Sequence, residues 1–153
     1  DLESHIWPLY RRSCYQGSRG IYQARFKITH RPATETTMRM WMTPPETMCG
    51  KHLLGEHVEL HMFVGTLNKG TSIDGFLTKN LLEPESLYER HEILAAEMTR
   101  RGYAHGSPLP AVCGVTLTSQ QRKVKVDRQA SLVELHRRCP ECLALFRAEI
   151  SPK

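Results

Sequence analysis

From Met38 onward the apolar positions recur at spacings of three and four residues, the pattern of helices that each bury one face. Thr43-Pro44-Pro45-Glu46 predicts a helix start: Thr43 as N-cap, Pro44 as first helical residue, and Glu46 three residues after Thr43 as a capping box. Cys49, Leu53, His57, Leu60, Val64 and Leu67 then form one stripe, so the first helix is expected to reach about Leu67. Asn68 to Asn80, with Gly70 and Gly75, reads as a loop. A second helix from about Pro84 to Arg101 places Leu87, His91, Leu94 and Met98 on one face. Gly102 stops it, and Arg100 and Arg101 suit the negative end of its dipole. Residues 104–126 read as irregular, with Pro108, Pro110 and Gly114, and end in Arg122-Lys123-Val124-Lys125. A third helix is expected to start at Asp127 and carry Leu132, Leu135 and Cys139, until Pro140 breaks it and a short terminal helix restarts. The expected fold is all-α, a compact bundle of three main helices joined by long irregular connections.

Residues 1–37 do not continue this pattern. Aromatic residues and arginines are scattered through them, and the alternation from Ile21 to Ile28 would make one isolated strand that buries nothing. The segment is therefore expected to be a flexible extension, with the helical domain spanning 38–153. Charge follows the same division. The chain of 153 residues carries a net +5, and its first 37 residues hold six basic and three acidic side chains, or +3 of that total. Such an excess suits an acidic partner such as nucleic acid without identifying one. Mixed charges at 24% and hydrophobic residues at 40% suit a folded domain with a small core, and no apolar run is long enough to cross a membrane. Five cysteines (Cys14, Cys49, Cys113, Cys139, Cys142) cannot all pair, and no export signal precedes them, so reduced thiols in a cytoplasm are expected.

The densest chemistry lies in His52-Leu53-Leu54-Gly55-Glu56-His57-Val58-Glu59-Leu60-His61. His52, Glu56 and Glu59 share a helix face, where two carboxylates and an imidazole shift one another's pKa or bind a cation. Periodicity alone favours a solvated polar face. His57 and His61 stand four apart as in zinc helices, but Val58 occupies the position where a metalloprotease needs Glu. His136, Cys139 and Cys142 include one C-x-x-C, yet a zinc site needs a fourth ligand, which Cys49 or Cys113 would supply only by folding alongside. Structural cysteines are the expectation, with no metal and no cofactor.

Met38-Arg39-Met40-Trp41 and the His52–His61 stretch resemble the pyrimidine-dimer DNA glycosylase family of phage-type endonuclease V enzymes. So do Arg90-His91-Glu92, Glu97-Met98-Thr99-Arg100-Arg101-Gly102-Tyr103, His105 and Ser107-Pro108-Leu109. The likeness covers about residues 38 to 109, and more loosely Arg138-Cys139-Pro140-Glu141-Cys142. The resemblance implies a DNA repair glycosylase with AP lyase activity on pyrimidine dimers or abasic sites. In that family a chain-terminal α-amine attacks C1′, displaces the base and forms a Schiff base, and β-elimination then cuts the strand. A glutamate on the long helix assists as acid/base and electrostatic stabiliser. That glutamate falls on Glu59 and the nucleophilic position on Met38.

The resemblance further implies DNA contacts at Arg39, His52 and Glu56. Val58 and Met62 stand where the family has arginines on the DNA-facing helix, which shifts the expected phosphate grip to Arg39, Arg90, Arg100, Arg122 and Lys123. In a 153-residue chain Met38 has only an amide nitrogen, so translation is expected to begin at Met38, with 1–37 an upstream reading-frame extension. The partner expected is double-stranded damaged DNA, bound by a cytoplasmic, nucleoid-associated monomer of prokaryotic or phage origin. The rival expectation is a non-catalytic DNA-binding or adaptor module that keeps the fold.

Overall fold

Leu53, Leu60 and Val64, from the stripe seen in the sequence, lie with Phe63 fully buried along α1 (Gly50–Asn68), the longest helix described. The computed structural model describes residues 37–151. The sequence before Thr37 lies outside the described residues, and with it the expected extension, its scattered arginines and the Ile21–Ile28 alternation. From Met38 on, the chain forms one compact unit. Among the described residues there are six α-helices and no strands, so the all-α expectation holds.

α1 begins later than the sequence suggested. Pro44 precedes another proline, which disfavours helical backbone at Pro44 (ψ 120°), and Pro45–Thr47 make only a 3-10 turn. The Thr47 hydroxyl donates to the Pro44 carbonyl, Met48 is extended, and the expected Thr43–Glu46 capping box does not form. The helix starts instead after Cys49. The expected loop after Asn68 is interrupted by a short helix, α2 (Asp74–Thr78), whose Leu77 is buried and whose Phe76 ring meets Phe63 edge-on at 5.1 Å.

A 3-10 turn at Pro84–Ser86 leads into α3 (Leu87–Arg100), which packs on α1 and buries Leu87, His91, Leu94 and Met98 as the periodicity predicts. Its end is a Schellman motif. Gly102 takes φ +82°, its N–H reaches the Thr99 carbonyl, and the Tyr103 N–H reaches Met98. Within the expected irregular stretch, Thr118 and Gln121 form a capping box that opens α4 (Ser119–Lys123). Asp127 caps α5 (Arg128–Arg138) as expected by accepting from the Ala130 N–H. Pro140 then heads α6 (Pro140–Ile150), which pairs with α5 and also contacts the Pro45–Thr47 turn.

Candidate active site

Glu56 and Glu59 lie three residues apart on α1 and face the segment 38–42, which lies across that helix. The backbone N–H of Arg39 donates to Glu59 Oε2 at 3.1 Å. The N–H groups of Trp41 and Met42 donate to Glu56 Oε1 at 2.9 and 3.2 Å, and Met40 N–H reaches the Leu81 carbonyl. Met40 and Trp41 are buried and anchor the strand-like segment in the core. Met38, the expected nucleophile, is thus the residue immediately before the one that bonds Glu59, and it is half-buried.

The two carboxylates have different environments. Glu56 is 1% exposed and takes a bidentate pair from Arg90, with Nε at 2.9 Å from Oε1 and Nη2 at 2.7 Å from Oε2. Glu56 is therefore an interior charge, not part of a solvated polar face. Arg90 is itself only 4% exposed and is spent on this pair, so it is not on the surface where a phosphate contact was expected. Among the described residues Glu59 has no such cation at hydrogen-bonding distance. Burial pushes its carboxyl from the ordinary 4.5 up to about 7; Glu56 adds to the rise, while the Arg39 N–H and Arg39 charge oppose it.

A consequence for stability follows. Unfolded Glu59 ionises near its ordinary value, so between about 4.5 and about 7 the folded protein keeps a proton that the unfolded chain has released. Stability therefore falls as pH rises across that window. Glu59→Gln holds the neutral form throughout. Comparing urea midpoints of wild type and variant is expected to favour the variant increasingly from about pH 4.5 to about pH 8. A difference flat in pH would return the carboxyl to its ordinary range.

The other expected DNA contacts are dispersed. Arg39 is half-buried, with its guanidinium 4.1 Å above the Trp41 ring and Nη2 donating to Ser131 Oγ at 3.2 Å. Arg100 is exposed and bound to Glu97, which also holds Arg101. Arg122 and Lys123 end α4, Lys123 exposed and Arg122 partly covered. Val58 and Met62, about half exposed, flank Glu59 on α1 with apolar surface. A cleft of about 690 Å³ opens between Met42–Pro45, α3 and α5, with Glu83, Lys125 and Arg128 among its walls. Glu59 is not among them.

Two clusters arise that the sequence reading did not assemble. His57 Nε2 lies 3.0 Å from Nε2 of both His91 and His105, three imidazoles close enough together to share a metal ion. Burial and the neighbouring imidazoles lower His57 to about 4, so it is neutral near pH 7. His52, expected toward DNA, instead sets Nδ1 3.2 Å from Cys49 Sγ and 3.5 Å from Cys142 Sγ, with Cys139 beside them. His136, the imidazole first grouped with Cys139 and Cys142, lies against the Phe146 ring and is not in this group. The paired spacings Cys49-x-x-His52 and Cys139-x-x-Cys142 were the available signal.

No helix among the described residues is long and apolar enough to cross a membrane. No curated protein and no solved structure matches the chain. The family model described as pyrimidine dimer DNA glycosylase matches residues 38–110, which hold Met38, Arg39, Glu56, Glu59 and Arg90. Over that segment, a little under half of the chain, the protein is similar to the pyrimidine dimer DNA glycosylase family.

Proposed function

We propose that this protein is a DNA glycosylase with AP lyase activity on damaged duplex DNA, using an α-amine at Met38 as nucleophile and Glu59 as acid/base. The observation that carries the reading is the raised Glu59 carboxyl bonded to the N–H of the residue next to Met38. A neutral α-amine with pKa near 8 is appreciably populated around neutrality and can attack C1′. As the C1′–N bond breaks, its electron pair leaves with the base. The amine nitrogen then loses a proton and its lone pair makes the C1′=N bond as the C1′–O4′ bond of the sugar breaks, O4′ taking a proton; the resulting Schiff base acidifies C2′. Removal of a C2′ proton expels the 3′ phosphate and cuts the strand. A carboxyl poised near 7 can give a proton in the first stage and, once ionised, accept one in the second. Reaching the sugar requires extruding a nucleotide from the duplex. Val58 and Met62 offer no charge to phosphates, so grip depends on Arg39, Arg100, Arg122 and Lys123.

The amine is the decisive element, because an amide nitrogen cannot form a Schiff base. The test incubates the 153-residue chain and a chain beginning at Met38 with an abasic duplex and borohydride, which reduces a Schiff base to a stable covalent link. Trapping by the shorter chain alone is expected. Trapping by both would move the nucleophile to a lysine or another terminus. No trapping, with DNA still bound, would favour the non-catalytic binding module, the reading that the apolar Val58 and Met62 support.

A further inference from the structure

We propose that Cys49, His52, Cys139 and Cys142 form a structural zinc site that ties the start of α1 to the junction of α5 and α6. Their ligand atoms all lie within 4.8 Å of one another, although the two pairs are 90 residues apart in the chain. The spacings match a tetrahedral ion. With Zn–S near 2.3 Å and Zn–N near 2.05 Å, sulfurs stand about 3.8 Å apart and a sulfur stands about 3.5 Å from a nitrogen. Cys49 Sγ and Cys139 Sγ are 3.8 Å apart, and Cys142 Sγ is 3.5 Å from His52 Nδ1. The Cys49–His52 separation, 3.2 Å, is slightly tighter. A disulfide would need about 2.05 Å between sulfurs, and all three cysteines are free thiols.

The surroundings also suit sulfur ligands. Cys49 is the N-cap of α1 and Cys139 the N-cap of α6, so two helices of 19 and 11 residues turn their positive ends toward the sulfurs. The Cys49 N–H points at Cys142 Sγ (3.2 Å) and the Cys142 N–H at Cys139 Sγ (3.4 Å), donors that support sulfur ligands from outside the coordination sphere. Trp41 meets the His52 ring edge-on and shields it. Three cysteines and one histidine leave no open position, so the ion would hold structure and perform no chemistry. Zinc would fix α1 from its first turn, and with it the register of Glu56 and Glu59 one and two turns along. It would also bind the α5–α6 region, which lies beyond the matched segment, to the helix that carries those carboxylates.

The test uses the full 153-residue chain, reduced, loaded with zinc and exhaustively dialysed. Elemental analysis is expected to give at least one zinc per chain, and Cys142→Ser to lose one equivalent. Cobalt in place of zinc is expected to show the intense sulfur-to-cobalt charge-transfer absorption of a three-thiolate site. That readout decides the matter on the wild-type protein, even if Cys142→Ser does not fold. A zinc content near zero would overturn the proposal. So would a cobalt spectrum without thiolate absorption, or metal that stays in folded Cys142→Ser but leaves on His105→Ala. The last result would assign the ion to the His57–His91–His105 cluster.

Discussion

Glu59→Gln, introduced into a chain that begins at Met38, is expected to reduce strand scission of an abasic duplex about 100-fold or more, while DNA binding is retained. The magnitude is that of a general acid or base removed from a reaction that moves protons at more than one step. Glutamine is the informative replacement because it keeps the volume and an oxygen that accepts from the Arg39 N–H, but it can neither give nor take a proton. It also resembles the neutral carboxyl that burial favours below about pH 7, so it should not unfold the protein. Single-turnover cutting and gel-shift affinity, measured on the same preparation, separate chemistry from binding. Unchanged cutting would remove Glu59 from the mechanism. Loss of binding in step with cutting would make it a contact residue instead.

Glu56→Ala is expected to destabilise the domain by about 3–5 kcal/mol, the range for stranding one partner of a buried ion pair. The change leaves the Arg90 guanidinium buried, with Met48 Sδ at 3.6 Å as its remaining hydrogen-bond contact among the described residues. It also removes the acceptor for the Trp41 and Met42 N–H groups. Total stability for a domain of this size is about 5–15 kcal/mol, so urea unfolding should show a protein near its limit. Replacing Arg90 by Met in the same variant should recover part of the loss, because no uncompensated charge then remains. A loss below about 0.5 kcal/mol, the ordinary effect of an exposed substitution, would mean that Glu56 is solvated after all.

The sequence by itself determined what depends on neighbours along the chain. Helix faces follow from the three-and-four spacing, so Leu53, Leu60, Val64, Leu87, Leu94 and Met98 are core residues as read. Helix ends follow from local chemistry at Gly102, Asp127 and Pro140, where a left-handed glycine, a capping carboxylate and a missing N–H act within one turn. The family likeness of residues 38–110 was legible too, since its motifs are runs of adjacent residues. Competing local signals misled only over short stretches. Tandem prolines turned the Thr43–Glu46 start into a 3-10 turn, and glycines masked α2, which forms because Ile73 and Leu77 can be buried against the core.

Tertiary structure decided everything that depends on a partner distant in the chain. Glu56 and Glu59 look alike on a helical wheel. One became a buried ion-pair member because Arg90 of α3 lies opposite it, and the other a raised carboxyl because burial desolvates it and the Arg39 N–H offsets that only in part. Arg90 was read as a surface cation for the same reason, since burial is not encoded in a residue's type. His52, expected to contact DNA, instead joins the cysteines because the start of α6 brings Cys139 and Cys142 to its ring. Periodicity gives the direction in which a side chain leaves its helix, but its charge state and role are set by the groups that folding brings within about 3–4 Å, where electrostatic and coordination energies are large.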